Sequence, residues 1–235
     1  GYHRNDLAVH LRQQSTHNIG IIIPEIITSF YMTFINEAQT ILRNQGYKVM
    51  IAISNENPEQ ERENIQMMEQ LRVDGILISV CDKEYNIDLY NKVIENGIPM
   101  VFFDRTVEKV KASQVRMDDY IMAFFMVEAL LRKGYKHIIH IPGPAYIRNS
   151  YERLSGYRDA LEKFHVEYQP QDVLSPALSA EEGSWVMKQY LQQNVPFDAV
   201  FGFTETAVLG AKSEIQKQGL RIPNDVALCL SLIHI

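Results

Sequence analysis

Several things are scarce in this chain, and each scarcity removes a class of function. Only two cysteines occur among the 235 residues, Cys81 and Cys229, both in apolar stretches. That excludes a disulfide-stapled framework and points to buried thiols in a reducing compartment. No apolar run approaches the roughly 20 residues of a membrane span, and the N-terminus is polar rather than signal-like, so a soluble cytoplasmic protein is expected. No glycine-rich phosphate loop or Gly-x-Gly-x-x-Gly follows any apolar run, which leaves nucleotide chemistry without its usual backbone cradle. Positive charge is also short: the net charge is −6 and the isoelectric point about 5.7, so the bulk of the chain is not built to hold nucleic acid.

Nor is there a catalytic pattern. His137 and His140 sit three apart in a strand-like run, which would place them on opposite faces rather than on one metal. Ser29, Ser79, Ser150 and Ser155 have no His/Asp partners at a nucleophile elbow. No paired acid and base suggests sugar hydrolysis. The chain is therefore read as a non-enzyme with no metal and no cofactor.

What is present is a repeating alternation. Met100-Val101-Phe102-Phe103 is apolar without in/out alternation and ends in Asp104-Arg105. A strand apolar on both faces must be covered on both, so this run reads as a central strand of a parallel α/β sheet. Around it, strands are expected at 19–23, 47–53, 76–80 and 114–117, with helices at 29–45, 58–71 and 85–96. On the first helix Phe30, Phe34, Ile35, Ala38, Ile41 and Leu42 form the apolar face. A helix at 119–133 crosses into a second unit with strands at 137–141, near Val173, 199–203 and 226–229. Its helices are expected at 151–164, 180–193 and 205–218. Arg132-Lys133-Gly134-Tyr135-Lys136 echoes Arg43-Asn44-Gln45-Gly46-Tyr47-Lys48, a glycine helix stop feeding a strand, used twice. The fold class is α/β, with two doubly wound, Rossmann-like parallel-sheet subdomains around a ligand cleft. The subdomains span 18–117 and 118–229; a basic segment, 1–17, precedes them and a poorly fitting tail, 230–235, follows.

In open parallel sheets ligands bind beyond the carboxyl ends of the strands. Polar and aromatic residues recur at those ends. Phe30 and Tyr31 follow the first strand, Ser79 the third, and Asp104 and Arg105 the fourth. Arg153 is expected in the first turn of the helix after the second unit's first strand. Trp185, the only tryptophan, lies early in the 180–193 helix, and Thr204 and Glu205 follow the strand 199–203. Charged groups able to donate and accept paired hydrogen bonds, with aromatic faces beside them, suit a polyhydroxylated ligand.

These stretches resemble the LacI/GalR family of bacterial transcription repressors. The resemblance is carried by Gly1-Tyr2-His3-Arg4-Asn5 with Ala8 and Leu11, by Ile19-Gly20-Ile21-Ile22-Ile23-Pro24, and by Val73-Asp74-Gly75-Ile76. Ile98-Pro99 with Phe103-Asp104-Arg105, Arg153-Leu154-Ser155-Gly156-Tyr157, and Ile222-Pro223-Asn224-Asp225-Val226-Ala227 complete it. It implies a cytoplasmic, dimeric, effector-responsive DNA-binding regulator that senses a sugar or related metabolite. Phe30, Tyr31, Asp104, Arg153 and Trp185 would take effector-contacting positions, and Ser79 a further cleft position. Asn5, Ala8 and Leu11 would belong to a hinge, with Leu11 wedged into the DNA minor groove beside Ala8. The family's DNA-reading headpiece is expected upstream, so these residues alone should hold operator DNA weakly or not at all. The sequence departs from the pattern at Arg4, where proline is usual, at Thr204-Glu205 in place of Asn-Asp, and after Cys229, where a Gly-aromatic-Asp segment is expected. A periplasmic-type sugar-binding protein of a transport system shares the same architecture and is the alternative.

Overall fold

A computed structural model describes residues 15–230 of the chain. The chain divides into two compact units between Arg116 and Met117, and each is described by itself. Strands and helices alternate throughout.

Unit 1 holds β1 (Asn18–Ile23), β2 (Lys48–Ile53), β3 (Gly75–Ile78), β4 (Met100–Phe103) and β5 (Ser113–Val115) in one parallel sheet of order β2-β1-β3-β4-β5. Between the strands run α1 (Ser29–Asn44), α2 (Pro58–Gln70) and α3 (Ile87–Glu95). Side chains of an extended strand alternate between faces, so successive isoleucines of β1 enter different cores. Ile22 joins Ile76, Ile78, Met100 and Phe102 against Ile65 and Met68 of α2 and Leu89, Tyr90 and Val93 of α3. Ile21 and Ile23 join Phe103 against Tyr31 and Ile35 of α1. Double-sided burial is why these strands contain no polar alternation.

The strand 100–103 is an interior strand as expected, paired with β3 on one side and with the short edge strand β5 on the other, while the middle of the sheet is β3. An apolar run reports coverage of its faces, not distance from the edge. Ile41, expected on the buried face of α1, is 61% exposed, while Tyr31 is 3% exposed and belongs to the core.

Unit 2 holds β6 (Ile138–Ile141), β7 (Ala199–Gly202) and β8 (Ala227–Leu230), again parallel and in the order β6-β7-β8. The helices α4 (Asp119–Arg132) and α5 (Arg148–Lys163) cover one face, and α6 (Ala180–Leu191) and α7 (Glu205–Lys217) the other. α6 opens with a reciprocal capping box between Ser179 and Glu182, which satisfies backbone N–H groups that the first turn leaves over. Several boundaries differ from expectation, most of them by one or two residues. α5 begins at Arg148, almost a turn early, so Arg153 lies in its second turn. The strand near Val173 is a single bridge to His140, preceded by a 3-10 turn at Pro170–Asp172. β8 continues through Leu230, a residue that the sequence reading gave to the tail.

α6 and α7 approach so closely that glycine is required at the crossing. A Cβ on Gly183 would stand 2.0 Å from the Ala207 carbonyl oxygen, and one on Gly210 would stand 2.0 Å from that of Ala180. Gly183→Ala gains about 1 kcal/mol of helix propensity but overpacks two backbones, a cost of about 1–3 kcal/mol or more. The expected outcome is a net loss of stability, seen as a lower urea midpoint; a midpoint raised by the substitution would mean that the helices separate freely.

Candidate functional site

In unit 1 the chain leaves β1 towards β2 on one side and reaches β3 on the other, so the strand order reverses between β1 and β3. Such a switch point leaves a crevice at the carboxyl ends of the two strands. Tyr31 follows β1, Ser79 follows β3, and the structure brings them together with Asp104, which follows β4. The Tyr31 hydroxyl donates to Asp104 Oδ2 at 2.8 Å. Its oxygen therefore accepts from Ser79 Oγ at 2.9 Å, and Ser79 in turn accepts from the Arg105 backbone N–H at 3.4 Å. The result is a directed chain from Arg105 N–H through Ser79 and Tyr31 to the half-buried Asp104 carboxylate. Asp104 takes a left-handed backbone, φ +56°, a conformation that aspartate tolerates better than most residues. Burial first, and then the charge of Asp104, raise the Tyr31 pKa well above its usual value, although Arg105 and Ser79 oppose this. The phenol keeps its proton and remains the donor.

An aromatic wall supports this group. Phe30 meets Tyr31 edge-on at 5.1 Å, Tyr31 meets Phe103 edge-on at 6.3 Å, and Phe34 stacks on Phe103 at 3.9 Å. The side chain of Arg105 is not part of the group. It is 7% exposed and grips Glu56 with two bonds, Nη1 to Oε2 at 2.7 Å and Nη2 to Oε1 at 2.9 Å. Burial opposes its charge, but Tyr31 and Glu56 outweigh it and push the pKa up. Sequence reading missed Glu56; two successive left-handed residues, Asn55 and Glu56, turn the chain after β2 and bring that carboxylate to Arg105.

In unit 2 the order reverses between β6, which Val173 flanks on one side, and β7 on the other. Arg153 reaches the carboxyl end of β7. Its Nε donates to Asp119 Oδ1 at 2.7 Å and its Nη1 to the Phe203 carbonyl at 2.6 Å, and its guanidinium lies 4.7 Å from the centre of the Phe203 ring. Thr204 caps α7, accepting from the Ala207 N–H at 3.2 Å. Glu205 is half-buried in the first turn of α7, and Trp185, 57% exposed, faces solvent from α6. Asp119 is a second residue that the sequence reading overlooked; a second acid beside the Asp118 helix cap was its only signal.

The two histidines do not form a metal pair. His137 Nε2 lies 3.0 Å from Asp172 Oδ1, while His140 is fully buried, with Nδ1 2.9 Å from the Phe201 carbonyl. Among the described residues no group of three His, Cys, Asp or Glu is placed to hold a metal ion, and no helix is long and apolar enough to cross a membrane. Asn5, Ala8 and Leu11 lie outside the described residues.

Two parallel-sheet units with polar residues gathered at strand carboxyl ends define the periplasmic-binding-protein-like class of α/β proteins. The chain belongs to the family described as "Periplasmic binding proteins and sugar binding domain of LacI family", whose model matches residues 16–232. It is similar to the HTH-type transcriptional repressor CytR of Escherichia coli (strain K12), 27% identical over 228 residues, covering 97% of this chain and 66% of that protein. It is similar also to the ribose operon repressor of Halalkalibacterium halodurans, 26% identical over 227 residues with the same coverage, 97% and 66%. The chain thus spans 66% of the length of these relatives. Among solved structures, the Cra transcriptional dual regulator of Pseudomonas putida in complex with fructose 1-phosphate superposes with a TM-score of 0.78 at 23% identity, over 90% of this chain and 77% of that one. A likeness at that identity shows the fold.

Two outcomes follow from the geometry. Tyr31→Phe removes the link between Ser79 and Asp104 and should lower the stability of unit 1 by about 1–2 kcal/mol, measured by urea unfolding; an unchanged midpoint would mean that the chain of bonds contributes nothing. His140 is held neutral, burial lowering its pKa from 6.5 to about 4 against the raising effect of the Phe201 bond. The unfolded chain then binds more protons between those values, so the stability is fully present above about pH 6.5 and falls as the pH drops towards 4. The loss should reach on the order of 3 kcal/mol. Amide exchange in unit 2 between pH 7 and 4 should show this slope in the native chain and lose it in His140→Leu.

Proposed function

We propose that this chain is the effector-binding part of a transcriptional regulator, acting as a repressor, that senses a sugar or related small polar metabolite. The family match across 16–232 carries the reading, with relatives named as repressors of a ribose operon and as CytR. In this reading the chain works as a cytoplasmic homodimer, contacts operator DNA through 1–17 and a DNA-reading segment, and uses no cofactor or catalytic step. Effector binding shifts the population between two arrangements of the dimer, and so changes how the N-terminal segments meet the operator.

The effector residues on this reading are Phe30, Tyr31, Ser79 and Asp104 of unit 1, with Arg153, Trp185, Thr204 and Glu205 of unit 2. Ser79 and Tyr31 orient the Asp104 carboxylate, which accepts from ligand hydroxyls while aromatic faces cover the ring. Arg105 contributes its backbone and, through Glu56, the fixed position of the loop. Arg153 is a poor residue to truncate, because its loss takes the charged partner from the buried Asp119 carboxylate and costs about 3–5 kcal/mol in stability.

Asp104→Asn is the better test. A panel of pentoses, hexoses, nucleosides and sugar phosphates is screened by thermal shift, and the best ligand is titrated by calorimetry and by Trp185 fluorescence. The substitution should weaken binding about ten- to a hundredfold, as loss of a hydrogen bond to a charged partner does. Unchanged affinity in a normally folded variant would remove Asp104 from the site, and a panel without a single ligand would remove the sugar reading.

A further inference from the structure

The edge of the unit 1 sheet opposite the candidate site holds a concentrated set of contacts that the functional reading does not use. Asp74, immediately before β3, accepts from three consecutive residues that lead into β1. The Ser15 hydroxyl donates to its Oδ2, the Thr16 backbone N–H to Oδ1 at 2.8 Å, and the His17 backbone N–H to Oδ2 at 3.0 Å. The Thr16 hydroxyl lies 3.2 Å from Oδ1 and 2.8 Å from the Arg72 carbonyl. The same segment is fastened from the neighbouring strand: the Lys48 N–H donates to the His17 carbonyl at 2.8 Å, and the His17 ring lies 5.6 Å from that of Tyr47. The Asp74 N–H closes the arrangement by donating to the Asn18 carbonyl at 2.7 Å.

A single carboxylate tying three successive residues does more than terminate a strand. It fixes the direction from which the preceding chain enters the sheet. Immediately after the same strand comes Ser79. β3 lies in the middle of the sheet, paired to β1 and β4, with Ile76 and Ile78 inaccessible to solvent. The four residues of β3 separate Asp74 from Ser79, five steps of extended chain or about 16 Å. A strand paired along both edges, with Ile76 and Ile78 sealed on one face and Leu77 half-buried on the other, resists bending and passes a shift at one end to the other.

We propose that Asp74 is a positioning residue that sets the exit of the N-terminal segment from unit 1, and that β3 carries displacements of Ser79 to it. The inference deepens the repressor reading, in which the segment before residue 18 meets DNA and Ser79 belongs to the effector site. It names the route by which one end of the sheet reports to the other.

The test uses the full chain and the exchange rates of the Thr16 and His17 amides, followed by NMR. Asp74→Ala should speed exchange at both amides at least tenfold, and Asp74→Asn, which keeps one acceptor oxygen, should give an intermediate rate. Ser79→Ala should speed the same two amides at least threefold. Val110→Ala, a truncation of a buried side chain in the loop between β4 and β5, should leave them unchanged after correction for global stability. Mutations about 16 Å apart ordinarily act independently, so that their effects on rates multiply; transmission through β3 instead makes the Asp74→Ala and Ser79→Ala effects fail to multiply in the double variant. Unchanged rates in Asp74→Ala would overturn the clamp. A response in Asp74→Ala without one in Ser79→Ala beyond that of Val110→Ala would overturn transmission through β3. No readout uses an operator or an effector, so failure here and failure of the repressor reading are separate results.

Discussion

One constraint places much of the polar chemistry of unit 1: the strand β1 is buried on both faces. A side chain on β1 or β3 meets a helix whichever way it points, since Ile21 and Ile22 enter different cores and both are inaccessible. An unpaired polar group there would lose several kcal/mol of hydration with nothing to replace it. Hydrogen-bonding chemistry is therefore displaced to the strand ends, where turns expose the backbone and helix starts leave donors over. The carboxyl ends at a switch point are the roomiest such places, and Tyr31, Ser79 and Asp104 occupy one of them.

Charges that cannot reach water are matched inside each unit, and the matching decides their roles. Arg105 and Arg153 are both nearly inaccessible, and each has an acidic partner in its own unit, Glu56 and Asp119. Such a pair is weak evidence for stability, because desolvating two ions offsets most of their attraction, yet removing one partner is strongly destabilising. A guanidinium held this way is a rigid part of the wall. Asp104, half-buried, is oriented instead by a neutral phenol, the Tyr31 hydroxyl donating to its Oδ2 at 2.8 Å.

The fold was largely legible because its signals are local: apolar runs of four or five residues, glycine stops such as Gly46 and Gly134, and the Asn57-Pro58 start. Both glycines have positive φ, and Asn57 caps α2 with bonds to Glu59 and Gln60. The site was legible as positions after strands, and Tyr31, Ser79 and Asp104 do converge. What escaped were partners distant in sequence. Nothing near Glu56 announces Arg105, 49 residues away, and nothing near Asp119 announces Arg153. Strand order escaped for the same reason, since β4 reads identically whether it lies in the middle of the sheet or beside its edge. Arg153 moved from the first to the second turn of its helix because the stretch Tyr146-Ile147-Arg148 carries no strong cap; Ile147 precedes α5 without a side-chain bond to the helix.

Two carboxylates of unit 1 show that hydrogen bonds alone do not decide how an acid behaves. Glu61 is inaccessible and accepts from Tyr90, Asn86 and the Cys81 N–H at 2.5–2.9 Å. Asp74 accepts from Ser15, Thr16 and His17 at the half-buried sheet edge. In both, burial is the largest influence and raises the pKa, and the donors oppose it. At Asp74 the donors win and the pKa is lowered; at Glu61, with as many partners, burial wins and it is raised. Donors stabilise the anion by an amount set by their number and geometry, whereas the desolvation penalty grows with every remaining contact with water that is lost. An exposed flank is what lets Asp74 hold its charge, and with it a charged grip on the segment entering β1, while Glu61 is suited to pinning the loop after Ser79 from inside the core.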